Sequence, residues 1–275
     1  MDLHCHSTAS DGRFPPTELV ERASARRLTV LALTDHDTFA GLAEAAEACA
    51  RAGIRFVPGV ELSTSHLGRR LHLLAWFPTL GSWSTAFEEL LIERMKGRVA
   101  RLHAIAERLE RCGVPIDADD LERRCREGAV TRAHVARALQ AAGHISQFQE
   151  AFHRYIGEGR PAFVPATVWE TGDAIAEVHL AGGICGVAHP EPDGFGEPDI
   201  LALKRLGMDA VEVVHPGHAR QTRRRLRKLA QRFDLLTTGG SDFHGQPGSQ
   251  LLPRGHLEAA MKDRFLAALD RVAVA

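Results

Sequence analysis

Charge of one sign is what this chain most plainly lacks: 34 Lys and Arg stand against 35 Asp and Glu, a formal net charge of −1 over 275 residues. With no global field to recruit nucleic acid or an anionic membrane, no DNA-binding module is expected. Cysteine is scarce and unpatterned. Cys5, Cys49, Cys112, Cys125 and Cys185 are odd in number and form no CxxC pair, which argues against a disulfide framework or a cysteine-rich zinc site and for reduced thiols. No apolar run is long enough to span a bilayer and no basic-then-apolar leader precedes His4, so a soluble, cytoplasmic protein with no membrane partner is expected. GxxxxGK[ST] and GxSxG are missing, and no GxGxxG follows a strand, which leaves out a phosphate-cradling loop and a serine nucleophile elbow. Internal repeats are also absent.

What is present begins at Asp2-Leu3-His4-Cys5-His6, followed by Asp11. In an extended segment His4 and His6 face the same way and make half a metal site on their own. Cys5, wedged between them, reads as packing. A helix opening at Pro15-Pro16 runs to about residue 27, and the apolar run 28–33 (LTVLAL) ends in Thr34-Asp35-His36-Asp37. An Ala-rich helix near 40–52 follows, then a strand at 54–60 exiting at Glu61 and another at 71–77 with His72 near its start. This β-α-β-α-β rhythm predicts parallel strands wrapped by helices.

The rhythm stops between about residues 84 and 160, where only helical patterns appear: one long helix at 85–112 and shorter ones near 117–126, 132–142 and 147–156. The long helix's apolar stripe reads as core. Alternation then resumes with strands at 183–188, 209–214 and 235–238, exiting at His189-Pro190, His215-Pro216 and Gly239-Gly240-Ser241-Asp242-Phe243-His244. Helices are expected near 171–181, 197–206, 218–233 and 256–272. Seven strands suggest a (β/α) barrel built from residues 1–83 and 166–275, with residues 84–165 as an all-helical insert capping the substrate site.

Reactive groups of parallel α/β barrels sit where strands end. Here His4, His6, His36, Glu61, His189, Asp242 and His244 fall at strand exits, with Asp11 in the first loop and His72 on the fourth strand. That many N and O ligands exceeds the capacity of one ion, so two or three metals sharing Glu61 as a bridge is the economical reading. Such a site suits phosphate-ester hydrolysis, because adjacent divalent ions acidify a shared water and clamp phosphoryl oxygens. Amide or lactam hydrolysis is the alternative chemistry. A metal-stabilised nucleotide-sensing module is the non-enzymatic one, weakened by the completeness of the ligand set. Arg132 and His134, at a helix start, are candidates for gripping phosphate, with His134 also a candidate proton donor. His215 and His218 are candidates for a second phosphate or a base. His66, His103, His144, His153, His179 and His256 bear no relation to strand ends and are read as structural, and the basic helix near 218–233 as a solvated face.

HxH near the start, a downstream Asp, TDHD, a Glu at a strand exit, HP after a strand and a late SDFH together resemble the polymerase-and-histidinol-phosphatase (PHP) superfamily over nearly the whole chain. The resemblance implies a distorted (β/α)7 barrel, phosphoesterase activity and three divalent ions, usually Mn2+, with Zn2+ or Fe2+ as alternatives. It implies one ion at His4, His6, Glu61 and Asp242, a second at Glu61, His72 and His189, and a third at Asp11, His36 and His244, with Asp242 orienting the attacking water. Length, insert and the stretch Val130-Thr131-Arg132-Ala133-His134-Val135-Ala136 resemble a subgroup acting on 3′,5′-bisphosphonucleotides such as pAp and, in some members, trimming short RNA from its 5′ end. Ala133 replaces a proline common there. Histidinol phosphatases, which generally lack the insert, are the nearest alternative.

Overall fold

The computed structural model describes residues 1–125, 128–191, 193–251 and 257–273. Its centre is a curled sheet in the order β1 (Val30–Leu33), β2 (Arg55–His66), β3 (Arg69–Trp76), β5 (Ile184–Val187), β6 (Ala210–Val214) and β7 (Leu236–Gly239), with the two-residue β4 (Trp169–Glu170) pairing to β2. The short apolar runs become strands because both of their faces are covered; β1, β5 and β6 are buried at every residue. Helices α1 (Pro16–Ala25), α2 (Leu42–Ala52), α7 (Thr171–Leu180), α8 (Glu197–Arg205), α9 (Arg220–Arg232) and α10 (Ala259–Val272) pack around it. The expected start of α10 at His256 and the expected end of the 117–126 helix at Arg126 lie outside the described residues.

The amino-terminal segment joins the two ends of the curl. Asp2 N–H donates to Val30 O and Ala32 N–H to Asp2 O on one side; Leu3 N–H donates to Gly239 O and Asp242 N–H to His4 O on the other. His4 and His6 therefore stand between the first and last strands.

Not every strand is parallel. β1/β2, β5/β6 and β6/β7 pair parallel, but β3 runs antiparallel to both β2 and β5. The reason is the connection: β2 continues five residues beyond the expected exit at Glu61, and only Leu67 (φ 52°) and Gly68 (φ 75°) separate it from β3. Two residues with positive φ make a tight hairpin, whereas a parallel crossover needs a dozen or more. Glu61 accordingly sits inside β2 and not at its end. The reversal places His72, near the start of β3, beside Ser63 and at the level where neighbouring strands exit.

From residue 85 the chain is helical: α3 (Thr85–Arg111), α4 (Ala118–Arg124), α5 (Arg132–Ala141) and α6 (Phe148–Ala151), the last continuing into a π-helical turn over Phe152–Ile156. Ser84 caps α3 by accepting from Phe87 N–H. At 27 residues α3 is about 40 Å long, enough to belong to two cores. Its first turns bury Phe87 and Leu91 in the main core with Trp76 and Phe77. Further along, Leu102, Ile105 and Leu109 pack with Val135, Leu139 and Ile156 in a separate cluster. Each such aliphatic side chain contributes about 1.5–3 kcal/mol on burial, so the helical segment has a core of its own.

Candidate metal centre

Glu61, 1 % exposed, is the point on which five imidazoles converge. Its Oε2 lies 3.3 Å from His4 Nε2, 3.2 Å from His6 Nε2 and 3.1 Å from His36 Nδ1; its Oε1 lies 3.0 Å from His72 Nδ1 and 3.2 Å from His189 Nε2. The β1–β2 register supplies this meeting, for it carries on past Leu33 into a bridge between His36 and Glu61. Asp242 Oδ1 faces His4 Nε2 at 3.3 Å and His6 Nε2 at 3.2 Å. Asp11 Oδ1 faces His244 Nε2 at 3.1 Å and His36 Nε2 at 3.7 Å.

Three groups of ligand-type atoms result: His4, His6, Glu61 and Asp242; His36, Glu61 and His72; and His6, Asp11, His36 and His244. This grouping departs from the one the resemblance implies at two places. His36, reaching Glu61 with Nδ1 and Asp11 with Nε2, stands with Glu61 and His72, while His189 meets Glu61 through the Oε1 that also faces His72; and His6 joins Asp11, His36 and His244.

These atoms do not satisfy one another. Among the described residues, His4 Nε2, His6 Nε2, Asp11 Oδ1, His36 Nδ1, Glu61 Oε2 and His72 Nδ1 are buried without a hydrogen-bond partner, although an oppositely matched atom stands within 4 Å of each. Buried polar atoms left unpaired cost about 1–3 kcal/mol each, so a cluster of them aimed at common points requires a further group. Imidazole nitrogens mixed with carboxylate oxygens fit divalent transition metals. Burial opposes ionisation of Glu61, yet His72, His4 and His36 hold its carboxyl well below the usual range, and His36 and His244 do the same for Asp11. His36 itself is pushed down to about 3 by burial, against Glu61 and Asp11, which leaves it a neutral donor.

A second layer fixes the tautomers. Glu212, wholly buried on β6, accepts from His4 Nδ1 at 3.2 Å and from His189 N–H at 2.8 Å. Asp193 accepts from His189 Nδ1 at 3.0 Å, and the Asp242 carbonyl from His244 Nδ1 at 2.8 Å. Each leaves Nε2 facing the cluster, the usual device for orienting a ligating histidine. His189 (φ 26°), Asp242 (φ 49°) and Asp37 (φ 50°) adopt positive φ without being glycine, a strain that concentrates at functional sites. Gly240 is required next to His4, since a Cβ there would come within 2.1 Å of the His4 Cβ.

The remaining candidates separate. Arg132 lines the cavity of about 380 Å3 that opens over Asp11, His36, His72, Asp242 and His244. His134 does not line it: its Nδ1 accepts from Thr131 N–H at 3.1 Å in a capping box, and burial pushes its pKa down to about 4. It is a cap, neutral near pH 7 and absent from the cavity lining, which takes it out of the leaving-group role. His215 accepts from Gly217 N–H with Nδ1, so its Nε2–H points to Asp242 Oδ2 at 3.5 Å as a positioning donor. His218 donates from Nδ1 to Val213 O and is likewise off the cavity wall.

Sequence reasoning reached Arg132 but missed the residues that accompany it. Arg70 and Arg101 line the same cavity with Arg132, Phe148 and Phe152, and among the described residues none of the three arginines forms an ion pair. Arg101 Nη2 is buried without a partner. Burial, then mutual crowding of the guanidiniums, brings Arg101 down to about 9 and Arg132 to about 10, with Glu158 partly offsetting the latter. Both stay charged at neutral pH and lack an anion. Arg94 and Arg98 are different: they are bound to Asp37 at 3.2 and 2.5 Å. Glu212 had left a signal, an acidic residue inside the apolar strand Ala-Val-Glu-Val-Val, because a charge buried there must have a partner.

A curled α/β sheet whose rim gathers histidines and carboxylates around a solvent-accessible cavity defines a metal-dependent hydrolase. Comparison with known proteins makes this specific. The family model described as PHP domain matches residues 2–158. The chain is 42 % identical over 248 residues to a 5′-3′ exoribonuclease of Haemophilus influenzae, covering 88 % of this chain and 89 % of that one. It is 35 % identical over 263 residues to a 3′,5′-nucleoside bisphosphate phosphatase of Chromobacterium violaceum, covering 94 % and 91 %. A solved structure from Bifidobacterium adolescentis, provisionally named a metal-dependent phosphoesterase, superposes with a TM-score of 0.87 at 31 % identity over 97 % of this chain and 95 % of that one. The chain belongs to the PHP domain family and is a metal-dependent phosphoesterase. Among the described residues, no helix is long and apolar enough to cross a membrane.

Proposed function

We propose that the protein hydrolyses the 3′-phosphate ester of 3′,5′-bisphosphonucleotides, pAp to AMP and phosphate, and trims short RNA from its 5′ end by the same bond cleavage. The observation carrying this reading is one cavity lined by two unlike sets of side chains: ligand-type histidines and carboxylates, and unpaired arginines with aromatic rings. A nucleotide with phosphates at both ends spans such a cavity. Its 5′-phosphate sits on Arg70, Arg101 and Arg132, its base lies against Phe148 and Phe152, and its 3′-phosphoryl group meets the His/carboxylate rim. Breaking the bond between O3′ and phosphorus then yields free phosphate from pAp, or a shortened RNA from an oligomer, so one binding mode covers what both named relatives do.

We assign the nine residues His4, His6, Asp11, His36, Glu61, His72, His189, Asp242 and His244 to three divalent ions, Mn2+ first among them. Ions held there supply an acidified water and a clamp on the phosphoryl oxygens. Asp242 orients the attacking water, held in place by the His215 Nε2–H on its Oδ2. The fold completing this reading is a distorted (β/α)7 barrel with residues 84–165 as an inserted helical cap. The test is phosphate and nucleotide release from pAp, 5′-phosphorylated RNA oligomers, histidinol phosphate and p-nitrophenyl phosphate with Mn2+ present. A kcat/KM far higher for pAp or RNA than for p-nitrophenyl phosphate supports it. Indifference to the second phosphate leaves a general phosphomonoesterase.

A further inference from the structure

Asp11 is the one acidic ligand candidate that does not sit on or directly after a β-strand. Glu61 lies within β2, its N–H on Asp35 O and its carbonyl taking Asp37 N–H; Asp242 follows β7 and donates its N–H to His4 O. Asp11 sits in the loop before α1, and its own polar atoms are held from the helical segment. Its Oδ2 accepts from Thr131 Oγ1 at 3.3 Å, and its carbonyl accepts from Arg137 Nη2 at 2.6 Å. Thr131 Oγ1 also accepts the Ala133 N–H at 3.1 Å as the cap of α5, and its hydroxyl hydrogen has Asp11 Oδ2 and His134 Nδ1, which already accepts the Thr131 N–H, each at 3.3 Å as acceptors. The two loops are pressed together beside this contact. Ala129 N–H donates to Ala9 O at 2.7 Å, and a Cβ on Gly128 would come within 2.2 Å of that same oxygen, so only glycine allows the approach. What this fixes is Asp11 Oδ1, buried without a hydrogen-bond partner and facing His244 and His36.

We infer that the helical segment is part of the metal centre as well as its cover: Thr131 and Arg137 are positioning residues that aim Asp11, and the ion at Asp11, His36 and His244 depends on them. The inference rests on the proposal that the cluster holds three divalent ions. It assigns α5 a role in ion retention that is separable from any contact with substrate, and it divides the ions into two carried by the strands and one shared between sheet and helices.

The experiment is metal stoichiometry and Mn2+ titration on the full chain, with no substrate present. The variants are Arg137→Met, Thr131→Val and Thr131→Ser, with near-UV circular dichroism to check folding. Wild type and Thr131→Ser, which keeps the hydroxyl, are expected to retain three ions. Arg137→Met and Thr131→Val are expected to weaken one ion by about tenfold to a hundredfold and leave the other two at wild-type affinity, the size usual for an outer-shell partner. Thr131→Val also loses a helix cap, so Arg137→Met, which lies within α5, is the deciding variant should Thr131→Val fold poorly. Three ions at unchanged affinity in Arg137→Met, or equal weakening of all three in a folded variant, overturns the inference. Fewer than three ions in the wild type is a failure of the three-ion reading itself, and the inference falls with it.

Discussion

Within the cavity the ligand wall and the arginine wall differ in how their charges are answered. Glu61 has five imidazole nitrogens between 3.0 and 3.3 Å, held by strand register and by buried outer partners such as Glu212. Arg70, Arg101 and Arg132 have each other, aromatic rings such as Phe152 and Phe163, and carbonyls such as Val164 O, but no ion pair among the described residues. The first wall is built to be completed by cations and the second by an anion. The difference teaches that the reacting and recognising halves of the site use different side chains, even where Arg70 and His72 share β3, so each can be broken without the other.

The largest effect is expected at Glu61, because its two oxygens serve different neighbours. Glu61→Gln should lose more than one ion by elemental analysis and abolish measurable turnover; retention of all ions would end the bridging role. Asp242→Asn comes next. Turnover should fall by several orders of magnitude on every substrate alike, with an unchanged thermal unfolding curve, as when an interaction made only in the reaction is removed. Near-normal turnover would show that Asp242 is no part of the reacting wall.

Asp37 joins the two walls, bound by Arg94 and Arg98 of α3 while its N–H rests on Glu61 O. Burial opposes its charge, but Arg98 and Arg94 hold its carboxyl well below the usual range. A depressed folded pKa adds stability that is present above the unfolded value of about 3.9 and is lost as pH falls from there toward the folded value. Asp37→Asn should cost about 3–5 kcal/mol at pH 7, the size for breaking a buried pair, and should flatten the acid limb of the unfolding curve. An unaltered acid limb would mean the walls are joined some other way.

The smallest effect falls on the recognising wall. One desolvated guanidinium–phosphate contact is worth about 1.5–3 kcal/mol, so Arg132→Ala should lower kcat/KM for pAp roughly tenfold to a hundredfold. Hydrolysis of p-nitrophenyl phosphate should change much less, since it has no second phosphate. Equal losses on both would move Arg132 to the reacting phosphoryl group.

The ligand wall was largely legible in the sequence, whereas of the arginine wall only Arg132 was. Strands have period two and barrels react at strand ends, so His4, His6, His36 and His189 announced themselves by position. Arginines are common on solvated helix faces, and nothing in the local pattern separates Arg101, unpaired in the cavity, from Arg98, spent on Asp37. His134 misled for the same reason: a histidine three residues into a motif looks the same whether it meets substrate or caps its own helix.

By itself the sequence determined which side chains were available as ligands, that sheet elements flank a helical stretch, and that the chemistry is hydrolytic, since these follow from local periodicity and motif order. Only the tertiary structure decided that β3 turns back through two residues, that His36 stands with Glu61 and His72, that Glu212 orients His4, and that Thr131 and Arg137 reach across to Asp11. Apart from the hairpin and the Glu61–His72 pair, those are contacts between residues 25 to 208 positions apart, set by register and by the packing of α3 and α5, and no local pattern encodes which partner a buried polar atom meets.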